Sequence, residues 1–150
     1  MKRMFVVVAA VAVIGGVYLA LGTRPDPVEF TDVRAQTAEF MAYYDSIELT
    51  AAQKRVFHEA LTALPAPCCN DQTAATCCCT CNMARTWWGL SKHLIADRDY
   101  DAIETRAAVA EWFTFINPGG FSGSSCYSGG CQRPFRADGC GGMVPAKLVL

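Results

Sequence analysis

Apolar residues along this chain form one long uninterrupted run and then four shorter periodic stretches. The run covers residues 4–22. It carries no charge, is softened only by Gly15, Gly16 and Tyr18, and follows Lys2 and Arg3. Its length is close to the ~20 residues that span a hydrocarbon core and exceeds the roughly 7–15 of a usual signal-peptide apolar region. Ala20-Leu21-Gly22 offers a small-x-small cleavage site, and no Cys follows for lipid attachment. Residues 1–22 therefore read as a membrane anchor or a signal peptide. Basic residues ahead of the run place the rest of the chain outside the cytoplasm, in a periplasm or at a cell surface. Residues 23–30 read as a linker, stiffened by Pro25 and Pro27.

The periodic stretches predict helices. Thr31 or Asp32 can cap the first, which runs to about Tyr44 with Val33, Thr37, Phe40, Met41 and Tyr44 on one face. Thr50 and Gln53 have capping-box spacing, with Leu49 as the staple residue, ahead of a stripe of Val56, Phe57, Ala60, Leu61 and Leu64. Pro65 and Pro67 stop that helix. A third helix is expected from Asn82 to about Ala96, with Met83, Trp87, Leu90, Leu94 and Ile95 inward and Thr80 or Asn82 as its cap. Asp101 and Glu104 repeat the capping-box spacing before a fourth, to about Ile116, whose apolar face includes Ile103, Ala107, Val109, Ala110, Trp112, Phe113, Thr114 and Ile116. The short connection between the last two predicts an antiparallel hairpin. The expected fold is all-α: a single N-terminal membrane helix, a small bundle of about four helices over residues 31–116, and an irregular Gly- and Cys-rich tail over residues 117–150 packed on it. No strand is expected outside the tail, where at most a small hairpin would form.

Composition narrows the function. With 13 Lys and Arg against 14 Asp and Glu, the net charge of −1 supplies no basic field for nucleic acid. Neither histidine, His58 or His93, has a second histidine near it in sequence, so histidine-based metal sites and triads are poorly supported. No acid/base pair, Ser/His/Asp set or phosphate-binding loop appears, which leaves a hydrolase or transferase unsupported. Cysteine alone is in excess, with nine in 150 residues.

Six of the nine lie between Pro67 and Cys81, as Cys68, Cys69, Cys77, Cys78, Cys79 and Cys81. Cys78 and Cys81 make a Cys-x-x-Cys pair, whose two-residue gap lets both sulfurs face one tetrahedral ion. Cys77, Cys79 and Cys81 are spaced by single residues, which can suit low-coordinate Cu(I). Cys79 and Cys81 fall at the start of the third helix, where free N–H groups favour the thiolate, the form that binds metal and attacks disulfides. All six are metal-ligand candidates, with zinc or copper as the ion. Against this stands the habit of small Cys-rich domains in oxidising compartments, which use such residues as disulfides. In the tail, Cys126, Cys131 and Cys140 are disulfide candidates and would tie the loop down through bridges or a shared ion. An iron–sulfur cluster is not expected, because the ferredoxin-type run opened by Cys126 and Cys131 meets Pro134 instead of Cys. Haem attachment is not expected either, since Asn82 rather than His follows Cys81.

Residues 64–115 resemble the core of the small exported lipoproteins named for a Pro-Cys-Tyr-Cys-Gly-Cys motif. The resemblance is carried by Leu64-Pro65-Ala66-Pro67-Cys68-Cys69, by Cys78-Cys79-Thr80-Cys81-Asn82-Met83-Ala84, and by Ile103-Glu104-Thr105-Arg106 after a helix. It implies a surface-exposed metal-binding protein, with Cys68, Cys78 and Cys81 as the corresponding residues. Three functions follow from the whole sequence. The first is a membrane-anchored extracytoplasmic protein holding zinc or copper through thiolates. The second is a disulfide-stapled accessory or binding subunit of a membrane complex, without chemistry of its own. The third is thiol–disulfide exchange through Cys78 and Cys81, a pair that lacks a surrounding thioredoxin-like βαβ pattern.

Overall fold

A computed structural model of the chain describes residues 26–150. The membrane or signal segment expected at residues 4–22 lies outside them, and among the described residues no helix is long and apolar enough to cross a membrane. Four helices follow one another: α1 Val33–Ser46, α2 Ala51–Thr62, α3 Asn82–Asp97 and α4 Ala102–Ile116. Their starts follow the capping chemistry. Asp32 accepts the Ala35 N–H at 3.0 Å, and both reciprocal halves of the capping box form at Thr50/Gln53 and at Asp101/Glu104. Each box satisfies donors that a helix N-terminus otherwise leaves orphaned.

Helix α3 is the centre of the bundle. It packs against α1, α2 and α4, and Met83, Trp87, Leu90 and Leu94 are fully buried, as their 3.6-residue period predicts. Its tightest neighbour is α1, because Gly89 lets the α1 backbone at Phe40 and Tyr44 come against it. On the other side Phe40, Phe30 and Trp112 form an aromatic group with centroids 5.0–6.3 Å apart. Phe30 and Val28, expected in a linker, thus pack on the core, and the Asp26 carbonyl accepts from Arg98 and from the Tyr100 hydroxyl.

Two expectations need correction. The buried face of α4 is Thr105, Ala108, Val109, Trp112 and Ile116, whereas Ile103 is 65% exposed and Ala107 and Thr114 are exposed. This helix is apolar on most sides, so its pattern does not select one stripe. The chain also forms strands where a loop was expected. β1 Pro65–Ala66 pairs antiparallel with β2 Cys69–Thr73, Pro65 opposite Thr73 and Ala66 opposite Cys69, with an irregularity between. The tail has three 3-10 turns and no strand.

The α1–α3 contact yields a prediction. A methyl group at position 89 would overlap the Phe40 carbonyl. Gly89→Ala should therefore destabilise the fold by about 3 kcal/mol, the upper part of the usual overpacking range, despite the better helix propensity of Ala. Urea denaturation followed by far-UV circular dichroism measures this. An unchanged or raised midpoint would contradict the close approach.

Candidate metal centre

The Cys-rich segment is fixed to α3 by two indoles. Trp87 and Trp88 both donate their ring N–H to the carbonyl of Ala74, at 3.0 and 2.8 Å. Ala74 is fully buried and follows β2 directly. The Trp pair therefore holds the turn between Cys69 and Cys77, with Trp87 in the core and Trp88 partly exposed. Thr73 and Thr76 close the same turn through their hydroxyls.

The tail is fixed to the other end of the segment by backbone hydrogen bonds. The first N–H groups of α3 point out of the helix with no partner inside it. Asn82 N–H donates to the Gly142 carbonyl at 2.9 Å and Met83 N–H to the Cys140 carbonyl at 3.0 Å. The third, at Ala84, reaches the Cys81 sulfur at 3.4 Å. Cys81 is therefore the N-cap, in place of the expected Thr80 or Asn82. Asn82, fully buried, adds side-chain bonds to the carbonyls of Gly141 and Val144. Further along, the Asn70 N–H donates to Gly123, Gly123 to Pro67, and Cys126 to Cys68. Gly123 is required here: its φ is +71°, and a Cβ would strike the Asn70 side chain.

These attachments bring all nine cysteines near one another, and none is bridged in this structure. The sulfurs of Cys69, Cys78 and Cys126 lie within 4.8 Å of one another. Cys79 adjoins two of the three, 3.5 Å from Cys78 and 3.8 Å from Cys126. A tetrahedral ion with metal–sulfur bonds of about 2.3 Å separates its sulfurs by about 3.8 Å, so this group is close to ligating geometry. Behind it Cys68 touches Cys69 at 3.9 Å, and Cys77, Cys81, Cys131 and Cys140 lie close enough for their thiols to influence the ionisation of their neighbours.

The members of the Cys-x-x-Cys pair have different neighbours. Cys78 is exposed beside Cys69, Cys79 and Cys126, while Cys81 is fully buried beside Cys140 and the Ala84 N–H. Among the sequence candidates, the structure puts Cys69 and Cys78 in one three-sulfur group, Cys79 against it, and Cys68, Cys77 and Cys81 further in. The third member of the group, Cys126, is a tail cysteine expected to tie the tail down through a disulfide or a shared ion. The sequence signal for it was the glycine around it, which lets a loop fold back onto another surface. Both histidines lie elsewhere. His93 stacks on Tyr43 at 4.4 Å and meets Asp97 at 2.9 Å, and His58 is exposed on α2.

The electrostatics differ from the expected activated thiols. The start of α3 is closed by tail carbonyls, so its N–H groups do not serve Cys79. The thiol of Cys79 is pushed up to about 12, first by its hydrogen bond with Cys78 and then by burial. Burial and then the bond with Cys126 push Cys69 up to about 12 as well. Cys68 is raised chiefly by its bond with Cys140, Cys77 by its bond with Cys68, and Cys131 by burial. At Cys140 the bond with Cys68 favours the thiolate, but the contact with Cys81 and burial outweigh it, and the net shift is upward. Crowded thiols resist ionising one by one because each thiolate would face its neighbours' charge in a poorly solvated place. A bound cation reverses that balance.

No protein-family model matches the chain, and neither curated protein sequences nor solved structures give a significant match.

The raised thiols set a pH dependence with a definite sign. A group whose folded pKa exceeds its unfolded value stabilises the fold below the unfolded value and stops doing so as pH rises through the folded one. For Cys69 and Cys79 the window runs from an ordinary value of 9.0 to about 12. The reduced, chelator-treated protein should melt at the same temperature at pH 7 and 8, and progressively lower from pH 9 upward. Thermal scans across that range test it, and a melting temperature that rises above pH 9 would contradict the shifts.

Proposed function

We propose that the chain binds a soft or borderline metal ion, zinc or copper, through cysteine thiolates. The observation that carries this reading is the three-sulfur group of Cys69, Cys78 and Cys126, drawn from three separate segments, with Cys79 against two of its members. Three sulfurs within 4.8 Å of one another, with a fourth against two of them, suit zinc, and subsets of two or three suit Cu(I). The raised thiols fit the same reading, because a cation replaces their protons at one stroke and relieves the crowding. The resemblance to exported Cys-motif lipoproteins supports the same chemistry. The charge and apolar pattern of residues 1–22 supports a membrane-anchored location outside the cytoplasm, where the ion would be met and a membrane complex would be the natural partner.

Thiol–disulfide exchange through Cys78 and Cys81 gains less support. An attacking pair needs access and a common locus, and Cys81 is fully buried as a helix cap. A disulfide-stapled accessory subunit remains the competing reading, since neighbouring thiols can also oxidise, and the experiment separates it.

Full-length protein purified anaerobically should carry zinc or copper by elemental analysis and show unbridged thiols in the same sample. Replacing Cys69 or Cys126 by Ser should weaken binding by more than the roughly 10–100-fold that loss of an outer-shell partner costs, read by competition with a chelator. His58→Ala should leave it unchanged. A protein without metal and with a single free thiol would establish the stapled scaffold instead.

A further inference from the structure

Sulfurs this close can bond to one another as well as to an ion. Three sulfur–sulfur contacts in and behind the group are short. Two join sequence neighbours, Cys68 to Cys69 at 3.9 Å and Cys78 to Cys79 at 3.5 Å. Adjacent residues have Cα atoms ~3.8 Å apart, whereas a disulfide prefers roughly 4.4–6.8 Å, so neither neighbour pair is well placed to bridge. The third contact joins Cys79 to Cys126 at 3.8 Å, across 47 positions of the chain. Closing it to a disulfide of about 2.04 Å is within reach of side-chain rotation at both residues.

The surroundings suit such a bond. Cys126 is held by its own N–H, which donates to the Cys68 carbonyl at 3.2 Å, and Cys79 stands two residues before the cap of α3. Both thiols are partly exposed, so a small molecule can reach them, whereas Cys68, Cys81 and Cys140 are buried. The same two sulfurs belong to the ion-binding arrangement, Cys126 as one of its three members and Cys79 as the fourth sulfur against them. A bond between them leaves Cys69 and Cys78, half of the usual tetrahedral ligand set of zinc.

We propose that Cys79 and Cys126 are a redox-active pair, oxidised by a small-molecule disulfide, and that their bridging ejects the ion held at this group. The ejection rests on the metal-binding reading above, and the pairing stands independently of it. In the step, one of the two cysteines attacks the external disulfide. That S–S bond breaks, one half stays on the cysteine as a mixed disulfide, and the other half leaves as a thiol. The second cysteine then attacks the mixed disulfide, the Cys79–Cys126 bond forms, and the second small thiol leaves. Two electrons pass from the protein to the external disulfide. The two departing thiolates take up the two cysteine protons in the metal-free protein and two protons from water in the loaded one.

The test uses full-length protein, reduced and loaded anaerobically with zinc. Oxidised glutathione is added stepwise, released zinc is read with a chromogenic chelator, and bridges are located by tandem mass spectrometry after the remaining thiols are alkylated. The first bridge should join Cys79 to Cys126, with one zinc released per bridge, and a dithiol reductant should restore binding. Cys79→Ser should slow the release at least tenfold. If that variant holds no zinc, the bridge map of the wild-type protein decides. A first bridge elsewhere, or glutathione left on Cys78 without an internal bridge, would overturn the pair. A Cys79–Cys126 bridge with zinc retained would overturn the ejection and leave the metal-binding reading standing. A reduced wild-type protein that takes up no zinc would overturn that reading and the ejection together, while a Cys79–Cys126 bridge in the same sample would still support the pair.

Discussion

The organisation of this molecule depends on how the first turn of α3 is satisfied. A helix start leaves N–H groups that must find partners when they are buried. Here three partners come from two places: Gly142 and Cys140 of the tail supply carbonyls, and Cys81 supplies its sulfur. A buried donor left unpaired costs about 1–3 kcal/mol, so the tail is bound to the helix by a requirement of the backbone as well as by apolar contact. That docking carries Cys140 to Cys81 and Cys68. Hydrogen bonds between the tail near Gly123 and the segment after β1 carry Cys126 to Cys69. At the other margin the Ala74 carbonyl, shared by two indoles, keeps the Cys69–Cys77 turn against the same helix. Remove any of these anchors and the sulfurs have no reason to converge, because the segments that carry them contain little regular structure.

The helices were legible in the sequence because their signals are local. The capping boxes at Thr50/Gln53 and Asp101/Glu104 and the stripe Met83, Trp87, Leu90, Leu94 all concern residues within a few turns of one another. The α4 face was not legible, because alanines and aromatics surround that helix and burial is decided by what α2 and α3 present to it. The β1–β2 pair was missed for a similar reason. Asn70-Asp71-Gln72 has the composition of a loop, and its pairing with the short β1 is set by the Trp87 and Trp88 bonds beyond it.

The candidate site was half legible. Cysteine clustering pointed to Cys68, Cys69, Cys77, Cys78, Cys79 and Cys81, and spacing then paired Cys78 with Cys81. In space that spacing is overruled by the helix cap. Cys81 turns inward to meet the Ala84 N–H while Cys78 stays on the surface beside Cys69. Cys126 could not be placed from sequence, since nothing local tells a glycine-rich tail where to return. The partners that place it, Cys68 and Asn70, are more than fifty positions away.

The buried cysteines and the helix core contribute to the interior in different ways. Phe40, Leu61, Leu90, Leu94, Val109 and Trp112 are buried along the helices, and their burial is ordinary apolar stabilisation. Such a bundle differs from a zinc finger, whose folding free energy is supplied by the ion itself. In this chain the protonated cysteines extend the apolar core, and their raised pKa values express how well the neutral form suits it. A cation bound at Cys69 and Cys79 would have to displace protons held more firmly than on an ordinary thiol, which would lower its affinity at neutral pH relative to a site of preformed thiolates.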